Sequence, residues 1–153
     1  MADSIYKDLQ GSNFNGDLLL AQNYLRWGSS YQGLSERDSL KIYKYSAFYF
    51  YNKVVKFNSF DNDFDAEKAV AYGNLSVFYV KDSLFDLAKN VAIKSIEIHA
   101  SNNDNLNQAA ALGNLASIYL LEEDYQKAKK TYLEALDLIA FDESPKAIRF
   151  KAS

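Results

Sequence analysis

Two apolar stripes separated by a short polar break, followed by the same two stripes again, fill the chain between Lys68 and Pro145. Leu112, Leu115, Ala116 and Tyr119 fall at i, i+3, i+4 and i+7, the spacing of one helical face. Glu122-Glu123-Asp124 interrupts that face. A second stripe then follows with Tyr125, Ala128, Tyr132, Leu136 and Ile139, while Lys127, Lys129, Lys130 and Glu134 occupy its outer side. The preceding segment reads the same way: Tyr72, Leu75, Ser76 and Tyr79, a Lys81-Asp82-Ser83 break, then Phe85, Ala88, Ala92 and Ile96. Gly73 answers Gly113 at an offset of 40 residues, and Ile96 answers Leu136 at the same offset. Each segment is therefore expected to be a helical hairpin with a turn of a few residues. A fixed period in this range marks a stacked-repeat solenoid.

The small residues set the expected packing. Ser76 and Ala116 fall where the first helix of a hairpin crosses its partner, and Ala88 and Ala128 fall on that partner. Small side chains there allow the helix axes to approach to about 8–9 Å. A weaker copy precedes these two. Tyr24, Trp27-Gly28 and Tyr31 repeat the order, with Gly28 in the place of Ser76 and Ala116. Ser35 with Asp38 reads as an N-cap for a helix carrying Leu40, Tyr43, Ala47, Phe50 and Val54. Gly28 to Ser76 is about eight residues longer than the 40-residue period, which we assign to a longer second helix and to the loop from Asn58 to Asp65.

The order Leu112, Leu115-Ala116, Tyr119, Tyr125, Ala128, Tyr132, Ala135 resembles the tetratricopeptide repeat (TPR). The copies depart from it in period, 40 against about 34. They also lack the proline that ends a unit, here Ala140, and the turn glycine, here Ser83 and Glu123. Longer units with an Asn-Leu pair in the first helix resemble the kinesin-light-chain-like branch of that superfamily. The Tyr, Asn, Asp and Lys-rich style is similar to TPR regions of bacterial sensor kinases and regulators of the Bacteroidetes. The resemblance implies an all-α, right-handed superhelical solenoid of antiparallel helix hairpins. We expect one such array over 1–153: a partial helix of a preceding unit (1–10), a divergent unit (17–57), units at 66–100 and 107–141, and a partial terminal helix (144–153) opened by Ser144-Pro145. Both ends look cut in mid-hairpin, which suggests part of a larger protein.

Composition narrows the chemistry. A net charge of −3 and the lack of a Lys/Arg cluster argue against nucleic acid as a direct partner. No apolar run reaches membrane-spanning length, so no membrane insertion is expected of this segment, and Met1-Ala2-Asp3-Ser4 is unlike a signal peptide. The compartment stays open, as a soluble region on the cytoplasmic or periplasmic side. There is no cysteine and one histidine, His99, placed at a helix end where a cation is favoured. No metal site, cofactor or catalytic residue is expected, and none of the phosphate-binding or nucleophile motifs occurs. Asp61, Asp63 and Asp65 alternate, but Ala66 and Tyr72 stand where a calcium loop needs glycine and an acid; Asp65 is expected to cap the next helix. The aromatic run Tyr43, Tyr45, Phe48, Tyr49, Phe50, Tyr51 covers every side of a helix, which favours burial, with an exposed partner strip as the sharper alternative.

One face remains for a partner. Val70, Asn74, Val77 and Lys81 share a stripe whose counterparts are Ala110, Asn114, Ser117 and Leu121, and, in the weak unit, Gln22, Arg26, Ser29 and Gly33. The expected groove is lined by Arg26, Asn74, Val77, Lys81, Asn114, Ser117 and Leu121. An amide both donates and accepts, so it pairs with an extended peptide backbone. The family resemblance places that role on Asn74 and Asn114. It also implies that Arg26 and Lys81 alone make an incomplete carboxylate clamp, which disfavours a chaperone adaptor. The expected function is non-catalytic protein or peptide binding, as the recognition or sensing part of a bacterial regulatory protein. Two alternatives stay open: a homodimerisation module, and a small-ligand sensor using a pocket beside Tyr45 and Tyr49.

Overall fold

The computed structural model describes residues 14–38, 40–57, 64–140, 144, 148 and 150–152. Among these there are six α-helices and no strand. They are α1 (Phe14–Arg37), α2 (Lys41–Val55), α3 (Asp65–Lys81), α4 (Phe85–Ser101), α5 (Asn105–Leu121) and α6 (Tyr125–Leu138). The fold is all-α and TPR-like, with consecutive helices packed as hairpins. The chain divides into two compact units, residues 1–71 and 72–153, with the boundary inside α3. The expected helix over 1–10 and the residues Asp61, Asp63 and Pro145 lie outside the described residues.

In the first unit α1 packs against α2. Their interface is an aromatic cluster centred on Phe50, whose ring lies 5.3 Å from Trp27, 5.8 Å from Tyr24 and 5.7 Å from Tyr31. Close approach is enforced at Gly28, where a Cβ would lie 2.6 Å from the Tyr51 ring. Tyr51 is fully buried, and its hydroxyl bonds the Gln32 side-chain oxygen at 2.8 Å and Ser29 Oγ at 3.3 Å. Burial pushes its phenol above the ordinary value, so it stays a neutral donor.

Three local expectations change here. Ser35 does not cap α2: α1 runs through it to Arg37, supported by Gln32 donating to Glu36 one turn on. Leu40 is the residue before α2, with no side-chain cap. The extra length is not in the second helix, since α2 has 15 residues against 17 for α4. It lies in α1, with 24 residues, and in the segment between α2 and α3. Asp65 is the first residue of α3 rather than its cap; its charge still meets the positive helix end.

The second unit has the repeat in its regular form. Ser76, Ala88, Ala116 and Ala128 are all buried, as the crossing positions require. The Ser76 hydroxyl is satisfied within its own helix, donating to Gly73 O at 2.7 Å, so a polar side chain enters the crossing without a lost bond. Two apolar clusters alternate along the stack. Ala88, Ala92, Leu115 and Ile118 meet Tyr79, Phe85 and Tyr119, and Ala109, Leu112, Ala135 and Ile139 meet Leu106 and Phe150. Ile96 touches both. Gly113 faces Phe150, with room for a Cβ only 3.1 Å from that ring, whereas Gly73 would meet Ser95 at an ordinary 3.6 Å.

The turns are built alike. Ser83, Asn103 and Glu123 have φ of 58°, 55° and 61°. In each, the next residue's N–H reaches back five residues: Leu84 to Tyr79, Asp104 to His99 and Asp124 to Tyr119, all at 2.9 Å. This is the Schellman closure of a helix C-terminus. Asp104 and Asp124 then cap the following helix through Asn107 N and Lys127 N. Leu84 occupies the same place with no side-chain bond.

Two outcomes follow for thermal or denaturant unfolding. Ser83→Gly and Glu123→Gly should each stabilise by roughly 0.5–1 kcal/mol, because a side chain in the left-handed region costs about 1–2 kcal/mol and glycine returns part of this through a freer unfolded chain. Gly28→Ala should destabilise by about 1–3 kcal/mol despite alanine's better helix propensity, since the buried Tyr51 ring has nowhere to go. Equal stability of Gly28→Ala would mean that this crossing is loose.

Candidate functional site

The first helices of the two regular hairpins, α3 and α5, lie side by side in the second unit and border a cleft of about 100 Å³. It is lined by Ser76, Val77 and Val80 from α3 and by Asn114, Ser117, Ile118 and Leu121 from α5. Val77, Asn114, Ser117 and Leu121 of the expected face thus converge on one hollow. Asn74 sits half-buried on α3, and Lys81 is exposed at its last residue; neither lines the cleft. Arg26 is exposed on α1, in the first unit.

The walls are mostly aliphatic, and Leu121, 55% exposed, forms an apolar rim. Ser117 is tied down: its hydroxyl donates to Gly113 O at 2.9 Å and lies 3.1 Å from the Tyr132 hydroxyl on α6. Asn114 is exposed, and neither it nor Asn74 has a side-chain hydrogen bond among the described residues. Ser76, Val80 and Ile118 were not expected in the lining. Their signal was present, since they sit at the edge of the apolar stripe one helical position from the predicted face.

Larger hollows lie elsewhere in this unit. One of about 500 Å³ is lined by Lys89, Asn90, Ile93, Lys94 and Glu97 of α4 with Tyr119. Another of about 570 Å³ is lined by Lys130, Leu133, Glu134, Asp137 and Leu138, all on α6. Asn90, Ile93, Lys94 and Glu97 are each 40 residues from Lys130, Leu133, Glu134 and Asp137. These hollows are therefore the repeat's own outer surface rather than a dedicated pocket. On the same side Lys89 holds Glu122 at 2.7 Å and Asp86 at 3.0 Å, which pins the α5–α6 turn to α4 and raises the Lys89 pKa. Exposed pairs of this kind contribute little stability.

His99 is buried at the end of α4, with Nδ1 3.3 Å from Asp104 Oδ2. It therefore helps orient the carboxylate that caps α5. Tyr45 and Tyr49 stand 64% and 46% exposed, while Tyr51 is buried, so the aromatic run splits into a core face and an outer one. No group of His, Cys, Asp and Glu able to hold a metal occurs among the described residues, and no described helix is long and apolar enough to cross a membrane.

With hairpins, small-residue crossings and the α3–α5 cleft in place, comparison with known families agrees. Residues 67–139 match the model of the tetratricopeptide repeat family, and this stretch of the chain is a TPR region. TPR repeats form a non-catalytic helical scaffold that generally mediates protein–protein interaction. No curated protein and no solved structure gives a significant match.

The Asp104 cap makes a pH prediction. Burial pushes its carboxyl up, but the Asn107 side-chain amide and backbone N–H, with His99 beside them, outweigh this and hold it below the usual carboxylate range. A lowered carboxylate pKa adds stability above the unfolded value, about 3.9, and that stability is lost as pH falls through the folded value. Asp104→Asn keeps the cap and removes the charge. It should cost a few tenths of a kcal/mol near neutral pH, the low end for a carboxylate at a helix N-terminus, because the side chain is 37% exposed. The gap in urea midpoints should close below about pH 4. A gap of constant size down to about pH 2 would show that the charge is irrelevant.

Proposed function

We propose that the chain is a protein- or peptide-binding TPR scaffold whose ligand lies across α3 and α5, and that it acts as the recognition or sensing part of a larger regulatory protein. The observation that carries the binding reading is the convergence of Val77, Asn114, Ser117 and Leu121 on one cleft beside two amides with no protein partner among the described residues. A volume of about 100 Å³ takes a single aliphatic side chain. Asn114, and Asn74 on the neighbouring α3 face, offer a donor and an acceptor each to the ligand backbone. Leu121 at the rim favours a neutral or apolar segment over a terminal carboxylate. Lys81, at the end of α3, is proposed as an outlying contact for an acidic group of a longer ligand. The regulatory setting rests on the resemblance of the Tyr, Asn, Asp and Lys-rich composition to that of such TPR regions.

Peptides selected from a displayed library on the immobilised chain supply the probe. Asn74→Ala with Asn114→Ala should weaken the best binder on the order of 30-fold, at about 1 kcal/mol for each lost backbone pair. Melting should hold or rise slightly, because alanine is the better helix former. A large drop in melting temperature would make the amides braces of the stack, and unchanged affinity would move the ligand elsewhere. Light scattering across a range of concentrations separates this reading from self-assembly.

A further inference from the structure

The outer face of α2, in the first unit, has no role in the proposed groove. From Lys41 to Lys56 the sequence has four lysines and no acidic residue, although the whole chain carries a net charge of −3. At 3.6 residues per turn, Lys41, Ile42, Tyr45, Tyr49, Lys53 and Lys56 fall within about a third of the helix circumference. The opposite side is the core face, with Ala47, Tyr51 and Val54 buried. On the outer side Ile42 is 62% exposed, Tyr45 64% and Tyr49 46%, and Lys41 and Lys56 are exposed at the two ends. Lys53 Nζ lies 5.3 Å from the centre of the Tyr49 ring, which holds a cation against the aromatic strip.

We propose that this face docks an acidic amphipathic helix of a partner protein. The aliphatic stripe of the partner would rest on Ile42, Tyr45 and Tyr49, with its Glu and Asp flanks toward Lys41, Lys53 and Lys56. Charge decides the occupant. A face with three cations and no anion selects an acidic counterpart and repels a basic one. Tyrosine is the residue type that protein interfaces enrich, as a rigid ring with a polar tip. A lipid surface rewards buried aliphatic depth, and Ile42 is the single aliphatic residue on this strip. A second copy fits poorly. The exposed Leu133 face of α6 carries Lys129 and Lys130 beside Glu134 and Asp137, so its charge is mixed.

A labelled synthetic 18-residue peptide, with leucines at helical spacing and glutamates on the flanks, tests this by fluorescence anisotropy on the full chain. Binding should saturate and weaken about tenfold as salt rises from about 0.02 to about 0.3 M. Tyr45→Ala with Tyr49→Ala should weaken it roughly tenfold or more. Lys41→Glu with Lys56→Glu should weaken it and remove most of the salt dependence. Both pairs should melt like the parent, since these side chains are exposed, and neither should alter ligand binding at the α3–α5 cleft. The proposal is overturned by absence of saturable binding, by equal binding of a peptide with lysine in place of glutamate, or by indifference to both pairs of substitutions. Sedimentation of the chain with phosphatidylserine vesicles without peptide binding would assign the face to lipid instead. A concentration-dependent dimer abolished by the tyrosine pair would assign it to a second copy.

Discussion

Close approach of helix backbones at small residues is the constraint on which the rest depends. Within the second unit, Ser76, Ala88, Ala116 and Ala128 are buried where helices cross, and larger side chains fill the space on either side. The gain from burying Leu115 and Ile118 is available only because alanines lie opposite them. Any larger residue at a crossing would hold the helices apart and leave those side chains short of contacts. The first unit solves the same problem differently: Gly28 removes its side chain entirely, and the Tyr51 ring takes the vacated space. That exchange makes the first hairpin aromatic where the later ones are aliphatic.

The crossings also require each chain reversal to be short and alike. Left-handed Ser83, Asn103 and Glu123 close three successive helices with the same pair of backbone bonds. Because the residue after each is already the cap of the next helix, only three residues separate consecutive helices. Asparagine tolerates this conformation, whereas serine and glutamate carry a steric cost. The fold holds them there because both bonds close otherwise orphaned carbonyls. A glycine at these places would be cheaper locally, and its absence had removed the usual signal of a helix end.

That missing signal explains what could be read from the sequence. The apolar stripes at 112–119 and 125–139 identified the hairpins, and the doubled segment around Gly73 and Gly113 identified the repeat, because burial of one face imposes a period directly on residue type. The boundaries of α1 were not legible. Ser35 and Asp38 form a good capping pattern, yet a side chain at the end of a helix has the same local chemistry whether it starts or finishes one. The split of the aromatic run was also hidden, since Tyr45, Tyr49 and Tyr51 are chemically identical and only packing separates them. At the cleft, Val77, Asn114, Ser117 and Leu121 were legible through register, whereas Val80 and Ile118 belong to neither the expected apolar stripe nor the expected face. A residue at the border of a buried stripe belongs to both surfaces.

The same geometry explains why the cleft forms where it does. Each hairpin turns the apolar stripe of its first helix toward its partner helix, leaving Val77 on α3 and Asn114, Ser117 and Leu121 on α5 to border the cleft. Whatever the repeat places on the stripe of Val77 and Ser117 is presented in duplicate. On that stripe it places Asn74 and Asn114, mediocre helix formers with no side-chain hydrogen bond among the described residues. At the stripe's end it places Lys81 and Leu121, which differ. Duplication therefore repeats the same amide in both copies, and divergence between copies sets the difference at the helix ends. Substitutions at exposed stripe positions alter the surface such a scaffold presents without disturbing the buried crossings that build the stack.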